Sequence, residues 1–193
     1  IGSTRVTALL VDPVDRGTVM AGVEIDGVYR SRDGGDAWTR VDSGITNPDI
    51  HGMAISIGEQ KTVLVSTPRE IFASQDDGET FQSLAVTTSF PMPYCRWIAV
   101  KADDPQVLFA ANGDAAIGNT GTIQRSTDGG KTWGDFSWIA KGPSPMIGAS
   151  PSRRFSFQGP FVQPLPDGRW LAMVTARRLN KTGDGPSATN EGP

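Results

Sequence analysis

Aspartates recur at one place in three octets of this chain, and their carboxylates are the first candidates for chemistry. The octets are SRDGGDAW at Ser31–Trp38, SQDDGETF at Ser74–Phe81 and STDGGKTW at Ser126–Trp133. Each reads Ser-x-Asp-x-Gly-x-x-aromatic. A calcium site would need more oxygen ligands than Asp76 and Asp77 supply. We therefore interpret the aspartates as turn residues and predict no metal site.

The residue types of the octet suit a tight turn between two strands. Asp at the third place can accept backbone N–H bonds, and Ser at the first place can add a second side-chain bond. Gly supplies the positive φ that closes the turn. The aromatic residue at the eighth place returns on the next strand, and we expect it to be partly buried. The structural set is Ser31, Asp33, Gly35, Trp38, Ser74, Asp76, Gly78, Phe81, Ser126, Asp128, Gly130 and Trp133.

Short apolar runs and turns surround each octet and predict four strands per unit. The first unit comprises Val6–Val11, Thr18–Val23, Val28–Arg30 and Ala37–Val41, and two more units repeat this order. The third unit places its first strand at Trp97–Lys101 and its enlarged loop at Asn112–Gly121. Pro160–Leu165 and Trp170–Thr175 begin a fourth unit. No segment keeps an apolar 3.6-residue period over three turns, so we predict an all-β chain with few helices.

Composition excludes several classes of function. The net charge is −3, and no run of Lys or Arg occurs, which argues against nucleic-acid binding. A single cysteine, Cys95, and a single histidine, His51, exclude metal sites built from these residues. No membrane span or signal peptide is visible. The chain starts at Ile1 without a methionine, so a secreted or periplasmic location after removal of a leader stays open.

The octets, which recur 43 and 52 residues apart, resemble the Asp-box, or BNR, repeat of sialidase-like and sortilin-like β-propellers. This resemblance implies a β-propeller of four-stranded antiparallel blades, with about three and a half blades in this chain. The predicted division is blade 1 at 1–45, blade 2 at 46–88, blade 3 at 89–140, a partial blade 4 at 141–178 and a polar tail at 179–193. Such an incomplete ring predicts either a fragment or a homodimer that completes the propeller.

In this family the ligand face lies opposite the boxes, so candidate site residues come from the loops of that face. The resemblance nominates Asp26, Asp114 and Tyr94 as catalytic candidates. Charged candidates for ligand binding are Glu24, Arg69, Arg96 and Arg153.

Two functions remain open from the sequence. The first is a module that binds a carbohydrate or a protein, without catalysis or cofactor. The alternative is a sialidase-like glycoside hydrolase that uses paired carboxylates and arginines. The Arg-Ile-Pro motif expected of a sialidase is absent. We therefore prefer the binding module.

Overall fold

The computed structural model describes residues 4–116, 120–140, 154–164 and 170–179, which form β-strands joined by turns. The first sheet contains β1 (Val6–Val11), β2 (Val19–Val23), β3 (Gly27–Ser31) and β4 (Thr39–Arg40). The second contains β5 (Gly52–Ile57), β6 (Lys61–Ser66), β7 (Ile71–Ser74) and β8 (Gln82–Ser83). The third contains β9 (Tyr94–Lys101), β10 (Asp104–Gly113), β11 (Gly121–Ser126) and β12 (Gly134–Ala140). A hairpin of β13 (Arg154–Pro164) and β14 (Trp170–Leu179) follows.

Each of the first three sheets is an antiparallel meander in which sequence neighbours pair. The predicted all-β architecture of four-stranded antiparallel sheets is thereby confirmed. Among the described residues the only helical element is a short 3-10 turn, Val86–Thr88. The predicted tail beyond residue 179 and Arg153 lie outside the described residues.

The strand β9 begins three residues earlier than predicted and therefore includes Tyr94 and Arg96. Tyr94 pairs with Gly113 and Cys95 with Asn112, after an irregularity in the register beside Ala111. The Cys95 N–H also donates to the Pro68 carbonyl of the second sheet. This contact between distant parts of the chain extends the strand, and no local pattern in the sequence signals it.

Two apolar clusters lie between successive sheets. The first includes Met20, Val28, Val65, Phe72 and Phe81, and it joins the first and second sheets. The second joins the second and third sheets and includes Leu64, Ile71, Ile98 and Leu108. Burial between stacked sheet faces is the main stabilising contribution expected for this architecture.

The aromatic residues of the second and third boxes pack toward the preceding sheet. Phe81 of the second box is 4% exposed and belongs to the first cluster. Trp133 of the third box meets Phe90 edge to face, with ring centroids 5.1 Å apart. Trp38 of the first box is 41% exposed, so the prediction that it is partly buried was wrong. The described residues place no sheet before the first, and the Trp38 ring therefore lacks the cover that Phe81 and Trp133 have.

Side-chain hydrogen bonds close the first box turn. Ser31 Oγ donates to Asp33 Oδ1 at 2.6 Å and accepts the Gly35 N–H at 2.9 Å. Asp33 Oδ1 accepts the Ala37 N–H at 2.9 Å. Gly35 has a φ of +108°, a conformation that a residue with a side chain rarely adopts. The turn thus uses each residue type of the motif.

The second and third boxes carry an additional bond to the aspartate. Thr80 Oγ1 donates to Asp76 Oδ2, and Thr132 Oγ1 donates to Asp128 Oδ2, both at 2.6 Å. The bonds from Thr80, with one from Ser74, lower the pKa of Asp76 to about 2. Burial opposes ionisation of Asp128, but the bonds from Thr132 and Ser126 outweigh it and lower its pKa to about 2.

These lowered pKa values predict that acid destabilises the chain. A carboxylate whose folded pKa lies below its unfolded value of 3.8 stabilises the fold above that value. The contribution is lost as the pH falls toward about 2. We expect the free energy of unfolding to decrease over this window, and Asp76→Asn to reduce the slope. Urea unfolding at several pH values measures this pH dependence. The control is Asp36→Asn, at an exposed position of the first box, and an equal reduction of the slope in this variant would contradict the assignment.

Candidate functional site

The ends of the sheets opposite the boxes bring several charged and aromatic residues together. In each meander the box joins the third strand to the fourth, so the start of the first strand lies at the other end. His51 directly precedes β5, and Tyr94 opens β9. Glu24 directly follows β2 at this same end. We call the group of Glu24, Asp49, His51, Tyr94 and Arg96 the polar-end cluster.

His51 is the buried centre of this cluster, with a side chain that is 7% exposed. Its Nδ1 lies 2.8 Å from the carbonyl oxygen of Cys95, which can only accept, so Nδ1 carries the proton. The Nε2 lone pair is then available to the Tyr94 hydroxyl, 3.4 Å away. The backbone of the third sheet thereby fixes both the orientation and the tautomer of a histidine from the second sheet.

Tyr94 and Arg96 form the part of the cluster contributed by β9. The Arg96 guanidinium carbon lies 4.8 Å from the centroid of the Tyr94 ring, a cation–π distance. Arg96 also donates to the carbonyl of Ala116 at 2.5 Å. Burial raises the pKa of the Tyr94 phenol, Arg96 opposes this, and Asp49 and Glu24 raise it further. The phenol is consequently held in its protonated form, which does not favour Tyr94 as a nucleophile.

The cluster also contains two carboxylates, those of Glu24 and Asp49. Glu24 accepts a bidentate bond from Arg5, and this bond lowers its pKa against the opposing effect of burial, with a smaller contribution from the charge of Arg96. Asp49 Oδ2 lies 3.6 Å from His51 Nε2. Asp49 Oδ1 is buried and has no hydrogen-bond partner among the described residues. A buried carboxylate oxygen without a partner is costly in free energy.

The structure gathers some of the predicted site residues and separates others. Glu24, Tyr94 and Arg96 are in the polar-end cluster. Asp26 accepts bonds from the Tyr29 hydroxyl at 3.1 Å and from Arg40 at 3.5 Å, within the first sheet. The Asp114 carboxylate accepts the Thr120 N–H of its own loop.

The remaining predicted ligand-binding residues are arginines. Arg69 is exposed in the turn between β6 and β7. Arg153 lies outside the described residues. No contact described here brings Arg69 into the polar-end cluster.

His51 and Asp49 were not among the predicted site residues, although they stand at the centre of the cluster. The contacts of His51 with Cys95 and Tyr94 join residues more than 40 positions apart, and no motif surrounds His51 or Asp49 in the sequence. One signal was available, because His51 precedes the first strand of the second repeat just as Tyr94 and Arg96 begin that of the third. Alignment of first-strand starts would have placed the three residues together.

Outside the polar-end cluster, neither the cysteine nor a group of metal-ligating side chains in the described residues suggests a further reactive site. Cys95 is buried, and burial raises its pKa to about 12, which makes the thiol a poor nucleophile. In the part of the chain that the structure describes, no group of three or more His, Cys, Asp and Glu side chains could hold a metal ion. None of the described helices is long and apolar enough to cross a membrane.

Three similar solved structures overlap with this chain over part of their own length and at low identity. YCF48 from Cyanidioschyzon merolae has a TM-score of 0.59 at 15% identity and covers 93% of this chain and 57% of its own. A Dyadobacter fermentans protein of unknown function has a TM-score of 0.58 at 19% identity, covering 93% and 61%. The Niastella koreensis GH74 enzyme has a TM-score of 0.55 at 18% identity, covering 92% and 28%. The chain therefore spans less than two thirds of each of these proteins.

These likenesses and the sheet order identify the fold as part of a β-propeller, as the octets predicted. A comparison with curated proteins found no significant match. The family model described as Sortilin-Vps10, "Sortilin, neurotensin receptor 3", matches residues 26–141, which include the three four-stranded sheets in whole or part. The chain belongs to the Sortilin-Vps10 family, which is of the Asp-box propeller type.

Proposed function

We propose that this chain is a peptide-binding propeller module whose ligand docks on the polar-end cluster. The observation that carries the proposal is the Arg96–Tyr94 pair, supported from below by the buried His51. Tyrosine and arginine are the side chains most often responsible for binding energy at protein interfaces. His51 holds the Tyr94 ring in place, which reduces the entropy lost when a ligand binds.

Two comparisons support a peptide as the ligand. The family is described as a receptor family, sortilin and neurotensin receptor 3. A solved structure described as YCF48 bound to D1 peptide has a TM-score of 0.51 at 17% identity and covers 91% of this chain. The same architecture thus carries a peptide in another protein. The Asp49 side chain, which is 28% exposed, offers a carboxylate acceptor for a backbone or side-chain N–H of such a peptide.

Selection of peptides from a random phage-displayed library on the immobilised chain tests this proposal. We expect selected peptides to lose at least about tenfold in affinity, 1.4 kcal/mol, on Arg96→Ala. The matched control is Arg16→Ala, an exposed arginine at the box end, which we expect to bind as the unmodified chain does. Isothermal titration calorimetry measures both. Failure to select any peptide, or equal affinities in the two variants, would reject the proposal.

Glycoside hydrolysis is the second candidate, because Glu24 and Asp49 lie beside a tyrosine and two arginines. GH74 and GH93 enzymes are among the similar structures. However, the ion pair with Arg5 keeps Glu24 ionised, so Glu24 is a poor general acid. A panel of aryl glycosides discriminates the two functions. Turnover that is lost in Glu24→Gln would favour the hydrolase over the binding module.

We also propose that a second copy of the chain covers the exposed face of the first sheet. Ala8 and Leu10 pack toward the second sheet, so the alternating Leu9 and Val11 face the other way and are 63% and 59% exposed. Trp38 is exposed as well. The two described junctions indicate the occupant, since in both of them the preceding Asp-box sheet covers the corresponding face.

Light scattering of the purified chain measures this association. We expect a dimer that Leu9→Glu converts to a monomer, because a charge on this face cannot be buried without a partner. The control Val14→Glu changes an exposed residue of the turn that follows β1 and should leave the dimer intact. A chain that is monomeric at every concentration would rule out the second copy.

A further inference from the structure

A cavity of about 590 Å³ lies between the second and third sheets at the box end, opposite the polar-end cluster. Its volume falls in the range of small-molecule sites. Leu64, Ala73, Leu84 and Leu108 contribute its apolar lining. The second and third boxes contribute polar groups at its rim, among them Asp76 and Asp128. Nothing in the peptide proposal uses this space.

The repeats explain why the cavity exists. Met20 pairs with Arg30 in the first sheet, and Leu64 pairs with Ala73 at the equivalent place in the second. Both Arg30 and Ala73 directly precede the serine of a box. Arg30 is 8% exposed and fills the junction between the first and second sheets. Ala73 ends at its Cβ, so the equivalent volume in the next junction is left open.

The groups that bind Arg30 in the first junction also differ from those at the equivalent places of the second junction. Arg30 donates to the Asp77 carbonyl at 2.6 Å and to Glu79 Oε1 at 2.7 Å. The third box has Gly129 and Lys131 at the places of Asp77 and Glu79. A lysine in place of the glutamate would repel a cation from this junction. A ligand that simply replaces the missing guanidinium is therefore disfavoured.

The first junction also contains a bridge of charged side chains, and neutral residues stand at the equivalent places in the second junction. In the first junction Lys61 joins Asp12 at 2.5 Å to Asp77 at 2.6 Å. The strand registers place Ser56 and Gln106 of the second junction where Asp12 and Lys61 stand in the first. Ser56 Oγ donates to the carbonyl of Pro105 at 2.7 Å. The second junction has thus lost both its arginine and its lysine bridge.

The charged residues of the lining are Glu59, Asp76, Asp128 and Lys131, and its other polar groups are neutral and can both donate and accept. The glutamines of the cavity are Gln60, Gln75, Gln82 and Gln106. Each amide can donate two hydrogen bonds and accept two, which matches a ligand hydroxyl in either role. The carboxylates of Asp76 and Asp128 already accept bonds from Thr80 and Thr132 of their own turns.

From these features we propose that the cavity binds a neutral polyhydroxylated ligand, one or two sugar residues in size. The amides would bind the hydroxyl groups, and Leu84, the only partly exposed leucine of the lining, would pack against the C–H face of the sugar ring. The site is separate from the polar-end cluster, so the chain would carry a peptide site at one end of its sheets and a saccharide site at the other.

Titration with cellobiose, maltose, lactose and xylobiose, followed by saturation-transfer NMR and calorimetry, tests the proposal. We expect at least one disaccharide to bind. The double variant Ala73→Arg, Lys131→Glu places in the second junction the arginine and glutamate that fill the first. It should abolish disaccharide binding and leave the thermal midpoint of unfolding unchanged. If none of the four binds, or if the double variant binds as well as the unmodified chain, the proposal is wrong.

A second variant keeps the cavity and removes its amides. Combining Gln60→Ala with Gln82→Ala should weaken disaccharide binding at least about tenfold, because two hydrogen-bonding side chains are lost. Arg96→Ala should leave the affinity unchanged, which separates this site from the peptide site. L-Arginine is the competing probe. Its binding in place of the sugars, with loss in the Ala73→Arg variant, would overturn the neutral ligand in favour of a cation.

Discussion

Replacing Phe81 by alanine is expected to lower the free energy of unfolding by about 3–5 kcal/mol, the usual cost of removing a buried phenylalanine. The ring is 4% exposed and belongs to the cluster between the first and second sheets. Its backbone N–H also donates to the Ser43 carbonyl, so the chain around the resulting cavity cannot easily close it. Chemical denaturation measures the loss.

Trp38 provides a matched control, since it occupies the same place of its box and is 41% exposed. Trp38→Ala should cost less than about 1 kcal/mol when measured at concentrations where light scattering finds the chain monomeric. Phe81→Leu, which keeps most of the apolar volume, should fall between the two. Equal losses for Phe81→Ala and Trp38→Ala would show that position in the repeat, rather than cover by the neighbouring sheet, sets the energy.

Replacing Arg30 by alanine should lower the free energy of unfolding by about 1.5–3 kcal/mol, the range for a hydrogen bond made by a charged group. Arg30 is 8% exposed, and its removal leaves the Asp77 carbonyl without this donor. The variant would also open a cavity between the first and second sheets like the one beside Ala73. The bond to Glu79 contributes little, because Glu79 is exposed.

Arg32→Ala is the control for this substitution. Arg32 reaches the same Glu79 oxygen, at 3.2 Å, from a side chain that is 58% exposed. Exposed ion pairs contribute little, so this variant should unfold at nearly the same denaturant concentration as the unmodified chain. A loss for Arg32→Ala as large as that for Arg30→Ala would mean that the shared carboxylate, and not burial of Arg30, carries the effect.

The octets and the strand pattern predicted the fold because they rest on local interactions. Ser31, Asp33 and Gly35 make their bonds within five residues of one another. Apolar runs separated by such turns leave few alternatives to a meander. The exposure of the aromatic residues cannot be predicted from the boxes in this way. Trp38 and Phe81 occupy the same place of the motif and differ in whether a neighbouring sheet covers them.

The site was predictable only in part. Glu24, Tyr94 and Arg96 were identified because the ends opposite the boxes could be inferred from the meander and the family resemblance. Asp26 satisfies its carboxylate within its own sheet, which the sequence does not reveal. His51 was not among the predicted site residues, yet its contacts with Cys95 and Tyr94 from the next sheet make it central to the cluster.

By itself, then, the sequence determined the box turns and the four-stranded sheets. Each of these depends on contacts between residues close together in the chain. The tertiary structure alone decided that His51 supports the Tyr94–Arg96 pair, that Trp38 is exposed and that a cavity opens beside Ala73. Those features depend on which side chains of neighbouring sheets face each other, and a missing arginine becomes a cavity only when the opposing sheet leaves its volume unfilled.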